Sequence, residues 1–190
     1  MRTSKTSELI KVGEYYRNYS PPFDASKPVR RLLHYIPDKY LVGLHSITLT
    51  NSQSTRMLRR GGVRSQNRKV RFADCRGLYR AGQVVLLIDK IFLDYPTFFL
   101  RLPFFRTYLI GEVLYHEVGH HIHRTKKREH RDEEFVADEW RDKLLRSFMS
   151  KRYWYFSVIA VPYRLLIRPI VSWFQRRDKA KKSGSNQRTA

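Results

Sequence analysis

Residues 115–140 read YHEVGHHIHRTKKREHRDEEFVADEW and hold five of the chain's seven histidines. Within them, His116-Glu117-Val118-Gly119-His120 is an H-E-x-x-H pattern. Residues four apart share a helix face, so His116 and His120 present two imidazoles to one cation. Glu117 sits about 100° round the helix from His116. From there its carboxylate reaches a water beside the cation without becoming a ligand. Two histidines and a carboxylate, with one position open, suit catalytic Zn2+. Zinc brings the pKa of a bound water to about 7, and an adjacent glutamate takes its proton during attack on a carbonyl.

The pattern needs a third ligand. A metzincin would place Gly three residues and His six residues after the second histidine, but this chain has His123 and Lys126 there. His123 lies on the face of His116 but two turns along, roughly 10 Å by helix rise, too far to share an ion in an unbroken helix. His130 serves only if the linker folds back. Glu134 is the strongest candidate, because Asp138 follows it four residues later on one helix face. Asp138 would accept the N–H of a ligating histidine and fix its tautomer. Ala137 and Gly119 are small enough to let the two helices approach closely. Of the neighbours Glu133 and Glu134, one is expected to be a surface charge, and His121 and His130 are expected to face solvent.

This stretch resembles the gluzincin metallopeptidases of the zincin fold, in which H-E-x-x-H on one helix is joined by a glutamate from the next. The E-F-x-A-D form is similar to that of membrane-associated peptidases related to the prenyl-protein proteases. The fourteen residues from His120 to Glu134 look more like a minimal single-domain gluzincin. The resemblance covers about residues 107–145, extends loosely back to about residue 41, and leaves out the first 30 residues and the last 40. It implies His116, His120 and Glu134 as zinc ligands, Glu117 as general base and Asp138 as the group orienting a ligand. It also implies an oxyanion-stabilising side chain, for which Tyr79, Tyr115 and His123 are all open. The implied activity is hydrolysis of peptide bonds by glutamate-assisted attack of zinc-bound water.

Composition bounds the partners. Lys and Arg number 38 against 17 Asp and Glu, a formal charge of +21 that attracts polyanions, either nucleic acid or an acidic membrane surface. Two rival readings follow. One is a nucleic-acid-associated metalloprotease resembling the Spartan type, with His130 in place of Glu134. The other is a non-catalytic basic metal-binding protein at a membrane or nucleic-acid surface. Cys75 is the only cysteine, which excludes an internal disulfide and a multi-cysteine zinc knuckle and fits a reducing compartment. The opening MRTSKTSELIKVGEYY has no continuous apolar core, so no cleaved signal is expected. The expected location is cytoplasmic, with peripheral membrane association open.

The fold expected is α+β and zincin-like. A small mixed or antiparallel sheet packs on the H-E-x-x-H helix, expected over about 107–123, and on a second helix over about 132–150, with Phe135, Trp140, Leu144 and Phe148 supplying apolar contacts. LVGLHSITLTN at 41–51 alternates like a strand, with His45 at the sheet edge. GLYRAGQVVLLID at 77–89 reads as a hairpin with RAGQ as its turn. Residues 54–71 read as a mobile basic loop. A short helix is placed over 31–39. Residues 91–108 form an aromatic, proline-punctuated insertion, about half core and half a candidate flap. Three segments result: 1–30, weakly structured; 31–150, the metallopeptidase-like domain; and 151–190, a basic aromatic extension ending in a disordered tail.

Overall fold

A computed structural model describes residues 6–54, 75–126 and 132–154, with the backbone of 64–65 and 68–69. The chain divides into two compact units, Met1–Phe148 and Met149–Ala190. The first is mixed α+β. Its four-stranded sheet has the order β1-β2-β6-β5, formed by β1 (Lys11–Tyr15), β2 (Ser46–Thr50), β5 (Gly77–Arg80) and β6 (Gln83–Leu87). β1, β2 and β6 run parallel, and β5 is an antiparallel edge.

In β2 the alternation puts Ile47 and Leu49 into the core, where they register with Val84 and Leu86 of β6. These residues form the buried face on which helices pack. The helices are α2 (Ser26–His34), which touches β1, and α5 (Pro103–Lys126), which lies on β5, β6 and α2. The hairpin turns through Ala81 and Gly82, both at positive φ, as a two-residue turn matched to strand twist requires. Gly82 is further constrained, since a Cβ there would stand 2.4 Å from the Gly43 carbonyl oxygen. β6 ends at Leu87, and α3 (Ile88–Phe92) follows it directly.

Several expectations need correction. Residues 6–30, the described part of the first segment, are not weakly structured. They hold α1 (Thr6–Leu9), β1 and the start of α2. Arg17 and Asn51 also exchange two hydrogen bonds, of 3.0 and 2.7 Å, between the ends of β1 and β2. The helix placed over 31–39 ends at His34, and a 3-10 turn occupies Asp38–Tyr40. His45 precedes β2 instead of lying on an edge strand. Its N–H donates to Gly82 and its carbonyl accepts from Lys11. Residues 54–71 lie mostly outside the described residues; within them β3 (Arg64–Ser65) and β4 (Arg68–Lys69) pair antiparallel.

The aromatic insertion becomes α3, α4 (Thr97–Leu100) and the start of α5. α5 begins four residues earlier than the periodicity indicates. Pro103 suits a first helical turn, where its missing N–H costs nothing. At the other end, α5 runs to Lys126, because its charged side chains find partners: Arg124 reaches Glu133 and Lys126 sits over the Tyr40 ring at 4.1 Å. α6 (Glu133–Arg152) is capped by Asp132, whose carboxylate accepts the Glu134 N–H at 3.1 Å. Its buried residues include Val136, Ala137, Leu144, Leu145 and Phe148, whereas Phe135 is 59% exposed. Among the described residues no helix is long and apolar enough to cross a membrane.

Candidate metal centre

His116 and His120 fall on one face of α5, as their four-residue spacing requires, with ring centroids 4.8 Å apart. Their Nε2 atoms are 3.2 Å apart. Glu134 enters from α6, its Oε2 3.4 Å from His116 Nε2 and 3.8 Å from His120 Nε2. A circle through three points so separated has a radius of about 2.0 Å, the length of a Zn–N or Zn–O bond. One small cation therefore fits among the three atoms. Among the described residues, His116, His120 and Glu134 form the group of histidine and acidic side chains close enough to hold a metal.

Two small residues make this convergence possible. A Cβ on Gly119 would lie 2.7 Å from the carbonyl oxygen and 2.8 Å from the Cα of Ala137. α6 thus crosses α5 at backbone contact, one turn from Glu134. Any side chain at 119 would push Glu134 away from the imidazoles.

The surrounding groups set the tautomers. His116 Nδ1 is 2.9 Å from Asp138 Oδ1, so Nδ1 carries the proton and Nε2 offers its lone pair to the cation position. Arg141 in turn donates to Asp138 Oδ1 at 2.7 Å. His120 is pushed down to about 4 by burial first and by the neighbouring His116 second, so it is neutral at pH 7. Its Nδ1 is buried and makes no hydrogen bond, while Glu133 Oε1 stands 3.9 Å away. Neither glutamate is a plain surface charge. Glu133 is buried and bound at 2.6 Å by Arg124, which, against the opposing effect of burial, holds its carboxyl below the usual range. Glu134 is the more exposed of the two and belongs to the triad.

Glu117 is buried between α5 and the edge strand. A Cβ on Gly77 of β5 would lie 2.6 Å from its Oε1. Burial, aided by the charge of Glu134, raises its carboxyl to about 8, and a backbone hydrogen bond from Tyr79 opposes the rise. A cation at the triad acts in the other direction, favouring the carboxylate.

The hydroxyls of two oxyanion candidates are held by other partners. Tyr115 is fully buried, and its hydroxyl donates to the Leu32 carbonyl at 3.1 Å. The Tyr79 hydroxyl accepts the Gly82 N–H at 3.1 Å and donates to His121 Nδ1 at 3.0 Å. His123 is buried. His121, expected to face solvent, is fully buried as well, with Nε2 donating to the Val42 carbonyl at 3.0 Å. It joins α5 to the loop before β2 and to the β5–β6 turn. Those partners are distant in sequence, so no local pattern signals its burial. His130 lies outside the described residues. No family model, no curated protein and no solved structure matches the chain.

Proposed function

We propose that this chain is a zinc-dependent peptidase with a zincin-like arrangement and a gluzincin-like ligand set. The observation that carries the reading is the triangle of donor atoms, with edges of 3.2, 3.4 and 3.8 Å, drawn from two successive helices. Two imidazole nitrogens and one carboxylate oxygen favour zinc over the harder cations, which prefer all-oxygen shells. When bound, zinc would supply a Lewis acid for the substrate carbonyl and acidity for a water. His116, His120 and Glu134 would hold the ion, and Asp138 would keep His116 in the ligating tautomer. Glu117 takes the proton of the attacking water and passes it to the leaving amine.

The edge strand supports a peptide substrate. β5 is paired on one side only among the described strands, and it runs beside Glu117. An extended peptide adding to that edge would bring its backbone carbonyls along the site. Gly77, without a side chain, leaves Glu117 its place against the strand.

The test is Glu117→Gln in the full chain. We expect parental zinc stoichiometry with peptide cleavage lower by about 10²–10⁴-fold, the usual weight of a general base. A variant that cleaves at the parental rate removes Glu117 from the reaction. A parent that binds zinc and cleaves nothing in a peptide library leaves a metal site without peptidase function.

A further inference from the structure

The turn between α3 and α5 exposes apolar surface that the core does not use. Leu93, Phe98, Phe99 and Leu102 are 77, 63, 40 and 47% exposed, while Ile91, Phe92 and Leu100 between and beside them are buried. The exposed rings are not loose. Phe98 packs on Phe99 at 4.8 Å, Phe99 on Phe105 at 5.3 Å, and Phe105 on Tyr95 at 5.3 Å, so an aromatic ladder runs along the projection. Pro96 precedes α4 and Pro103 opens α5, and each locks its φ, so the projection is held in shape before any partner arrives.

Charge decides the partner. From Tyr95 to Gly111 the chain has no acidic residue and two arginines, Arg101 and Arg106. Asp94, at the border, is neutralised by Arg76 at 2.9 Å. A second copy of a chain carrying +21 is repelled from this face. Exposed phenylalanines with the exposed Arg101 in the same segment suit the boundary of an anionic bilayer, where rings enter the acyl region and the guanidinium group meets phosphates.

We propose that residues 93–102 form a membrane-contact surface that seats Phe98 and Phe99 in the headgroup boundary of an anionic bilayer, with Arg101 beside them at the phosphates. From Pro103 to His116, α5 rises about 20 Å at about 1.5 Å per residue. The helix would therefore stand as a strut between the lipid contact and the metal cluster. The surface does not depend on the cluster being catalytic.

The test is co-sedimentation of the full chain with vesicles at about 150 mM salt, where long-range attraction is screened. Vesicles of phosphatidylcholine are compared with vesicles containing about one quarter phosphatidylglycerol. The parent should pellet with the anionic vesicles. Phe98→Ser/Phe99→Ser should lose about tenfold or more in partition while remaining folded, its melting temperature lowered by only a few degrees for the lost contact of Phe99 with Phe105. Arg101→Glu, which keeps the rings, should also lose binding. Phe135→Ser removes an equally exposed ring beside the metal cluster and should stay within about twofold of the parent. Equal partition of the double variant and the parent would overturn the proposal and leave diffuse charge as the cause. A parent that ignores anionic vesicles, or self-associates through these rings and becomes monomeric when they are removed, would overturn it too.

Discussion

Gly119→Ala places one methyl group where α5 meets α6, and its consequence is calculable. The added Cβ would lie 2.7 Å from the Ala137 oxygen, and ordinary contact begins at 3.4 Å. The neighbours are backbone atoms, so no rotamer change relieves the clash, and α6 must move by about 0.7 Å. Alanine gains about 1 kcal/mol in helix propensity over glycine, and overpacking of a tight contact costs about 1–3 kcal/mol. The clash here is at the severe end, so a net loss of about 1–2 kcal/mol is expected. The larger effect falls on the metal. Glu134 Oε2 is 3.4 and 3.8 Å from its partners, and a shift of that size carries it beyond a common bond length, for which sites tolerate about 0.2 Å. Zinc affinity should fall about 10–100-fold. Urea unfolding of chelator-treated protein reads the first effect, and a zinc competition titration reads the second. Gly111→Ala is the control. Its Cβ meets only Leu32 and Leu145 methyl groups at 3.2 and 3.3 Å, and those side chains can give way. It should stay within about 1 kcal/mol of the parent with zinc affinity intact. A Gly119→Ala protein with parental stability and parental zinc affinity would refute the close-crossing argument.

Other outcomes follow from the same geometry. Asp138→Asn keeps the shape but weakens the hold on the His116 tautomer, so zinc affinity should drop about 10–100-fold while the metal-free protein melts within a few degrees of the parent. In the metal-free protein, Glu117 is raised from 4.5 to about 8, so the folded state binds more protons than the unfolded state across that range, and stability falls as pH rises. His120 and His121, both lowered from 6.5, act in the opposite direction below pH 6.5. Between pH 6.5 and 8 the Glu117 effect, about 1.5 kcal/mol, should outweigh the residual opposing effect of the two histidines, and Glu117→Gln should remove it. Denaturant titrations at both pH values, with and without the substitution, measure the difference.

What the sequence reveals of this site depends on whether a residue's partners are close in the chain. His116 and His120 are readable because a helix brings positions four apart together. Glu134 and Asp138 are readable for the same reason on the next helix. Gly119 and Ala137 are readable as small residues that need not be small unless something approaches. β1 is not readable. Its burial pattern is almost uniformly exposed, so it shows no alternation, and only its ladder with β2 makes it a strand. His121 is buried by Val42, Tyr79 and Gly82, which arrive from other elements. Glu133 is buried by Arg124, from a run too charged to suggest packing. Phe135 fails in the reverse sense, because α6 turns Val136 and Ala137 inward to reach α5 and leaves the larger ring in water.

Zinc X-ray absorption of the metal-loaded full chain decides whether His116, His120 and Glu134 share one ion. One zinc per chain is expected, with two imidazole nitrogens and carboxylate and solvent oxygens at about 2.0–2.2 Å, no sulfur, and loss of the carboxylate oxygen in Glu134→Ala. A protein that binds no zinc, or a site of three imidazoles that Glu134→Ala leaves unchanged, would contradict it.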